Sequence, residues 1–268
     1  MSDFDDAERQ IWAGRAEAFR DSFAKLCAHT VPALLDAAGA GPGTRLLDVG
    51  TGSGTVAAAA CARGARVSAV DAEPGMAALA RRAAPDADVS VAILPDLPFA
   101  AGTFDAVVAN FVINHVGRPA QAVAALRAVT RPGGHVAVTI WCRPAGAGHE
   151  LLDRAASEAG VQRPAGLPQL APVDDFPHNA EGLTCLLSGA GLGEVTCQQL
   201  DWDHIAPPEQ WWGGAAAGVG IIGQTIGRQA PEAISRIKTA YDRLVPEYAG
   251  PDGQLVLRYH ALLAAGRA

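Results

Sequence analysis

A short apolar segment that ends in an acidic residue and runs directly into a glycine-rich turn constrains the fold of this chain more than any other feature. Residues 46–55 read Leu-Leu-Asp-Val-Gly-Thr-Gly-Ser-Gly-Thr, and the alanine-rich residues 56–62 follow at once. This order of strand, tight loop and helix is the nucleotide-binding corner of an open α/β sheet. Gly50, Gly52 and Gly54 permit positive φ angles, and the start of the helix offers free N–H groups. The segment therefore predicts a nucleotide-like ligand.

The spacing of these glycines separates two classes of nucleotide. A dinucleotide fingerprint has glycine at its first, third and sixth positions. The sixth position is Thr55 when counted from Gly50 and Ala57 when counted from Gly52, which is at most a loose variant. A Walker loop needs Gly-Lys-Ser/Thr after the turn, and this sequence lacks it. The spacing therefore disfavours a nicotinamide cofactor but does not exclude one.

Apolar runs and helical patterns alternate along most of the chain. The pattern predicts strands at residues 45–49, 66–70, 89–93, 104–110, 135–141, 193–200 and 254–265. It predicts helices at residues 7–38, with a second helix starting near Pro32, and at residues 56–62, 74–84, 119–130, 150–159 and 181–189. This alternation is typical of a doubly wound sheet. The predicted fold class is α/β: a doubly wound, mostly parallel, seven-stranded Rossmann-like sheet with N-terminal helices and helical inserts that form a cap.

The chain is predicted to be one folded unit with interrupted core segments. The predicted segments are an N-terminal helical cap (1–43), a cofactor-binding core (44–141), an insert (142–180), a continuation of the core (181–201), a helical substrate or lid insert (202–253) and the last core strand (254–268). Ligands of open sheets bind where strands end. The inserts follow such ends, so they are expected to build a lid and a substrate pocket.

Composition excludes several partners. The net charge of −7 disfavours nucleic acid, which needs a basic face. The five cysteines contain no Cys-x-x-Cys pair, so they are predicted to be reduced thiols of a cytoplasmic protein. The acidic start of the chain is unlike a secretory signal, and Gly and Pro interrupt the apolar runs, so no membrane span is predicted. The spacing of His, Asp and Glu predicts no metal site.

Three motifs resemble those of the class I S-adenosylmethionine-dependent methyltransferases. Residues 48–54 fit the acid-x-Gly-x-Gly-x-Gly pattern of the family's first motif. Residues 97–105, Leu-Pro-Phe-Ala-Ala-Gly-Thr-Phe-Asp, resemble a segment of the small-molecule enzymes of the ubiquinone/menaquinone type, and residues 131–134 resemble the family's Pro-Gly-Gly turn. The resemblance is strong over residues 44–141 and weak elsewhere. It implies S-adenosylmethionine as cofactor and S-adenosylhomocysteine as product.

The resemblance and the chemistry of the loop assign a set of cofactor-binding residues. They are Asp48, Gly50, Thr51, Gly52, Gly54, Asp71, Ala72, Met76, Leu94 and Asn110. Asp71 ends the second strand about twenty residues beyond the loop, where a carboxylate accepts hydrogen bonds from both ribose hydroxyls. Family members usually carry an acid that binds the adenine amino group, and this chain has Ile93 at that position. The adenine is therefore expected to be held by main-chain N–H groups and apolar contacts; the alternative is that Asp96 replaces the acid. Asn110 is expected to contact the cofactor's amino group through its carbonyl.

Candidate residues for chemistry and for the acceptor come from the fourth strand's end, the N-terminal helices and the inserts. His115 is the candidate general base, because imidazole titrates near neutral pH; the alternative is a structural histidine at a helix start. The candidate substrate-binding residues, mostly aromatic, are Trp12, Phe19, Phe23, Asn114, Trp141, Phe176, Trp211 and Trp212. His29 and His260 are predicted to be core histidines. Any of those in the inserts, His149, His178 and His204, could face the substrate, and most are predicted to be solvated or structural.

These features predict a methyltransferase that acts on a small aromatic or largely apolar molecule, in bacterial specialised metabolism. O-methylation is favoured, and N- or C-methylation of an electron-rich ring stays open. The alternatives are a nicotinamide-dependent oxidoreductase and a non-catalytic binding protein of the same fold. The predicted partners are the small substrate alone, with a monomer or homodimer as the assembly.

Overall fold

The computed structural model describes residues 2–144, 146–162, 164, 167 and 169–268, and in them seven strands form one sheet. The strands are β1 (Arg45–Val49), β2 (Arg66–Asp71), β3 (Asp88–Val91), β4 (Phe104–Asn110), β5 (Thr130–Trp141), β6 (Gly193–Ala206) and β7 (Leu255–Arg267). Their order across the sheet is β3-β2-β1-β4-β5-β7-β6. Neighbours from β3 to β5 pair in parallel, and β7 is antiparallel to both β5 and β6. The predicted fold class is confirmed.

Helices cover both faces of this sheet and its carboxyl end. They are α1 (Asp3–Trp12), α2 (Ala16–Asp21), α3 (Phe23–Cys27), α4 (Val31–Ala37), α5 (Thr55–Ala62), α6 (Pro74–Ala83), α7 (Pro119–Val129), α8 (Ala147–Glu158), α9 (Ala180–Gly189), α10 (Pro208–Ala216), α11 (Gly220–Gly227) and α12 (Pro231–Tyr248). Two 3-10 turns lie at Ala28–Thr30 and Ile113–His115. None of the helices in the described part of the chain is long and apolar enough to cross a membrane.

The central strand β4 explains why the sheet is covered on both sides. Ala106 and Val108 pack with α4, α5 and α6, whereas Val107 and Ala109 pack with α7 and α9. A strand that is buried on both faces reads as a continuous apolar run, which is typical of parallel sheets. The same property made β4 predictable from sequence with its observed ends.

The N-terminal helical region is divided more finely than its periodicity predicts. The first helix starts at Asp3, because Ser2 caps it in a capping box with Asp5, and it ends before Gly14, whose φ is +72°. Further along the chain, after α2 and α3, helix α4 begins at Val31 with Pro32 in its first turn, which agrees with the predicted start. The stretch before Pro32, predicted as one helix, is instead divided into α1, α2, α3 and a 3-10 turn.

Strand β6 continues to Ala206, six residues beyond its predicted end. Its extra residues pair with β7, from Asp201 opposite His260 to Ala206 opposite Leu255. This segment was predicted to belong to the helical insert, but its charged residues lie on the exposed face of an edge strand, where polar side chains are normal. The helices of the second insert consequently start at Pro208.

The cap consists of α1–α3, α8 and α10–α12, packed around one apolar cluster. Phe23, Leu151, Trp211, Tyr241 and Tyr259 are buried members of this cluster. The cap thus joins the N-terminal helices to both inserts and to β7, over the end of the sheet. The first insert, residues 142–180, is described except at positions 145, 163, 165, 166 and 168.

Candidate functional site

A cavity of about 740 Å³ lies between the cap and the carboxyl ends of β1, β2, β4 and β5. Gly50, Asp71, Asn110 and Trp141, which end or follow these strands, all line it. Helices α1 to α3 and α11 form its other walls through residues such as Glu8 and Phe23. Open α/β sheets bind ligands at this end.

The glycine loop has the positive φ angles that its sequence permits. Gly50, Gly52 and Gly54 have φ angles of +68°, +55° and +87°. Gly50 and Gly52 line the cavity, but Gly54 does not. A Cβ atom on Gly54 would lie 2.7 Å from the Cα atom of Ala80 in α6. The third glycine is therefore required by helix packing rather than by direct exposure to a ligand.

Asp48 supports the loop from below. Its side chain is fully buried, and Oδ2 accepts a hydrogen bond of 2.7 Å from the Thr51 hydroxyl. Burial, with a smaller contribution from the nearby charge of Asp71, raises the pKa of Asp48 to about 7. Asp48 does not line the cavity, whereas Thr51 does. The acid therefore fixes the conformation of the loop.

Asp71 lies at the cavity wall with its carboxylate held by main-chain donors. The N–H of Gly52 donates to Oδ2 at 2.8 Å, and the N–H of Glu73 donates to Oδ1 at 2.9 Å. Burial raises the pKa of Asp71. A carboxylate has about four acceptor positions, so two remain for hydroxyl groups. This arrangement fits the two hydroxyls of a ribose.

The wall beside Asp71 is largely apolar. Ala72, Met76, Ile93 and Leu94 line it. Asp96 is exposed and does not line the cavity, so it does not replace the acid that the family has at the position of Ile93. An adenine held here would rely on apolar and main-chain contacts.

Asn110 lines the cavity, but its side-chain oxygen is already used. Oδ1 accepts hydrogen bonds from the hydroxyls of Thr30 (2.7 Å) and Thr139 (2.6 Å), and Nδ2 donates to the Cys27 carbonyl (3.1 Å). The expected contact from this carbonyl to the cofactor is therefore wrong. By contrast, the buried Oδ1 of Asn114 has no hydrogen-bond partner within the described residues and remains available in the cavity wall.

His115 forms a carboxylate–imidazole pair with a residue that sequence reasoning missed. Its Nδ1 lies 2.9 Å from Oε2 of Glu8, which also accepts a 3.1 Å hydrogen bond from the indole N–H of Trp12. Glu8 is only 5% exposed, and all three side chains line the cavity. The helical spacing of Glu8 and Trp12 in α1 was a weak signal, but nothing in it pointed to His115.

The predicted substrate-binding aromatics divide into two groups. Trp12, Phe19, Phe23 and Trp141 line the cavity, as Asn114 does, and the Trp141 ring stacks 3.8 Å from Phe111. Three others lie elsewhere, because they fill packing interfaces: Trp211 is 1% exposed and donates to the Gly148 carbonyl, Trp212 packs on Tyr241, and Phe176 packs against the α7–α9 side of the sheet.

Two histidines differ from their predicted environments. His29 is exposed and stacks on Trp202, and His260 is partly exposed and pairs with Asp201, so neither is a core histidine. His149, from the first insert, lines the cavity and contacts the hydroxyl of Tyr259. Among the described residues, no group of three or more His, Cys, Asp or Glu is arranged to hold a metal ion.

Comparison with known proteins finds similarity over the core of the chain. Residues 47–138 match the family model described as "Methyltransferase domain". Demethylmenaquinone methyltransferase from Renibacterium salmoninarum is 39% identical over 111 residues, which cover 41% of this chain and 47% of that protein. The corresponding protein from Beutenbergia cavernae is 38% identical over 120 residues, covering 45% and 50%. The chain thus spans about half the length of these relatives.

Solved structures share the fold over nearly the whole chain. Geranyl diphosphate C-methyltransferase from Streptomyces coelicolor has a TM-score of 0.50 at 16% identity and covers 90% of this chain and 79% of its own. The [4+2]-cyclase SpnF has a TM-score of 0.53 at 19% identity, with coverages of 90% and 80%. Residues 47–138 thus match a methyltransferase domain, and over this part the chain is similar to demethylmenaquinone methyltransferases.

Proposed function

We propose that this chain is an S-adenosylmethionine-dependent methyltransferase that acts on a small, largely apolar aromatic molecule. One observation carries the proposal: the glycine loop and Asp71 line the same cavity as Trp12, Phe19, Phe23 and Trp141, and this aromatic part of the cavity also contains the Glu8–His115 pair. The relatives named demethylmenaquinone methyltransferase support a planar aromatic acceptor. A bacterial biosynthetic role, a cytoplasmic location and a monomer or homodimer stay predictions.

Residues along one wall of the cavity would hold the cofactor. Asp71 would accept hydrogen bonds from the ribose hydroxyls, and Ala72, Met76 and Leu94 would enclose the adenine. The main chain at Gly50 and Gly52 would lie against the amino acid portion, because the two glycines have no side chain in the way. When bound, the cofactor supplies an electrophilic methyl group.

The Glu8–His115 pair would remove the acceptor's proton. With Nδ1 donating to the Glu8 carboxylate, Nε2 carries the free lone pair and accepts the proton of a phenolic hydroxyl. Glu8 then stabilises the imidazolium through the same hydrogen bond. The aromatic walls exclude water and orient the acceptor, which is a major part of catalysis in a transfer of this kind. This arrangement favours O-methylation over methylation of carbon.

Calorimetry and a transfer assay test the proposal. S-adenosylhomocysteine should bind, NADH should not, and Asp71→Ala should weaken S-adenosylhomocysteine binding by about tenfold or more, since a charged hydrogen-bond acceptor is lost. Labelled methyl groups should appear in phenolic acceptors from a panel of hydroxylated naphthalenes. NADH binding without S-adenosylhomocysteine binding would favour the oxidoreductase. Binding of neither would favour a non-catalytic protein.

A further inference from the structure

A second polar pair lies in the aromatic part of the cavity, where the proposed proton transfer makes no use of it. The hydroxyl of Tyr259 in β7 lies 2.9 Å from Nδ1 of His149 in α8, and both residues line the cavity. The rings of Phe23, Trp141 and Trp211 surround His149 at centroid distances of 5.9, 6.4 and 6.5 Å. Buried polar groups in such surroundings are costly unless they have partners.

The backbone around the pair is built to place it there. A Cβ atom on Gly146 would overlap the Tyr259 ring, and one on Gly148 would overlap the Trp211 ring and lie 2.7 Å from the Tyr259 hydroxyl. The indole N–H of Trp211 donates to the Gly148 carbonyl at 3.1 Å. Both glycines therefore let the start of α8 approach Tyr259 and Trp211 closely, which fixes the direction of the His149 side chain.

The contact between the Tyr259 hydroxyl and Nδ1 of His149 bears on which ring nitrogen carries the proton. When the Tyr259 hydroxyl donates its proton to Nδ1, 2.9 Å away, Nδ1 acts as the acceptor. The imidazole proton then resides on Nε2, which has no hydrogen-bond partner in the part of the chain that the structure describes. Burial lowers the pKa of His149 to about 4. Near pH 7, the ring is therefore a neutral donor.

We propose that the Nε2–H group of His149, oriented by Tyr259, donates a hydrogen bond to a neutral ketone or quinone oxygen on the aromatic methyl acceptor. The inference rests on the proposed function, because it assigns this part of the cavity to the acceptor. The Glu8–His115 pair contacts Trp12, whereas His149 contacts Phe23 and Trp141. The acceptor class is thus an aromatic molecule with a reacting hydroxyl and a second, carbonyl oxygen.

Binding of a matched ligand pair tests the role of His149 without any turnover. The probes are 1-tetralone, an aryl ketone, and tetralin, the hydrocarbon without the carbonyl; neither alkylates thiols. Both are titrated into the protein saturated with S-adenosylhomocysteine. The wild type should bind 1-tetralone about tenfold more tightly than tetralin, the usual effect of one net hydrogen bond in a buried site. The preference should stay constant from pH 6 to pH 8, since a neutral imidazole is the donor.

Substitutions separate the hydrogen bond from packing. His149→Phe should remove the preference and leave tetralin affinity unchanged, and His149→Gln, which retains an N–H near the position of Nε2, should keep part of it. Tyr259→Phe should reduce the preference, because the tautomer is no longer fixed. The matched controls are His260→Phe and Tyr241→Phe, whose side chains do not line the cavity, and both should behave as the wild type.

Two results would overturn the inference: equal affinity of the wild type for both probes, or a full preference in His149→Phe. If His149→Phe does not fold, Tyr259→Phe and His149→Gln decide the question. The titration of S-adenosylhomocysteine is read separately. Loss of that binding in the wild type would refute the proposed function, whereas normal binding with no tetralone preference would refute only the role of His149.

Discussion

Oε2 of Glu8 lies 2.9 Å from Nδ1 of His115, although 107 positions separate the two residues in the chain. The contact joins α1 of the cap to the 3-10 turn that follows β4, and both side chains face the cavity. A second contact, from the Gly117 N–H to Asp5 at 2.6 Å, holds the same two segments together. The cap therefore contributes to the proposed proton transfer as well as covering the cavity.

Glu8→Gln should reduce turnover by about tenfold and His115→Ala by about a hundredfold, because a positioned general base contributes about 100- to 10,000-fold. Binding of S-adenosylhomocysteine should stay within about twofold, since Asp71 and the glycine loop are unchanged. Initial rates with hydroxynaphthalene acceptors measure the first effect, and calorimetry measures the second. Glu181→Gln, at an exposed position on α9, is the matched control.

Acceptor acidity distinguishes a base from a structural pair. Nitrophenols are ionised near neutral pH and need no base, so the loss of turnover in His115→Ala should shrink with them. An equal loss for acidic and ordinary phenols would assign His115 a structural role, in accordance with the alternative that its sequence position left open.

Asn110→Ala should lower the free energy of unfolding by about 1–3 kcal/mol, because the buried hydroxyls of Thr30 and Thr139 lose their shared acceptor. Affinity for S-adenosylhomocysteine should change by less than about threefold, since the Asn110 carbonyl is not free for the cofactor. Urea denaturation and calorimetry provide the two measurements. Asn179→Ala, which removes the cap of α9 away from the cavity, controls for the loss of an asparagine. A large loss of affinity at full stability would restore the original assignment.

Gly54→Ala should destabilise the fold by more than Gly133→Ala. Both glycines have positive φ angles, +87° and +75°, so both substitutions carry the backbone penalty of about 1 kcal/mol. Only at Gly54 would the new Cβ meet the backbone of Ala80 in α6, whereas nothing lies within 4 Å at Gly133. The difference, about 1–3 kcal/mol for overpacking, is measured by thermal or urea unfolding. Equal losses at both positions would mean that α6 moves to accommodate the methyl group.

The features that depend on short stretches of consecutive residues were predicted best from the sequence. The glycine loop, β4 and the start of α4 at Pro32 each depend on a few consecutive residues, and the structure has them where they were expected. The Glu8–His115 and His149–Tyr259 contacts could not be predicted from the sequence, because each joins residues more than a hundred positions apart.

Residue type alone also failed to distinguish a cavity wall from a packing interface. Trp141 faces the cavity, whereas Trp211 fills the cap interior, and both have the same apolar surface and indole N–H group. Their difference arises from Gly148, whose missing side chain admits the Trp211 ring and whose carbonyl binds its N–H. Such a fit between distant elements is a property of the folded chain rather than of any single segment.

The pKa of Asp48 provides a pH-dependent test of how the loop is supported. Burial raises this pKa from 3.8 to about 7 in the folded protein, so between these values the folded state binds more protons than the unfolded state. The contribution of Asp48 to the free energy of unfolding must then fall as the pH rises from 4 to 7 and level off above 7. The total change is on the order of a few kcal/mol. Asp48→Asn cannot ionise, so the difference in unfolding free energy between wild type and variant should move in favour of the variant across this range. Urea denaturation at pH 4.5, 6 and 8 measures the difference, and a constant value would mean that Asp48 is ionised throughout and is neutralised by its surroundings rather than by a proton.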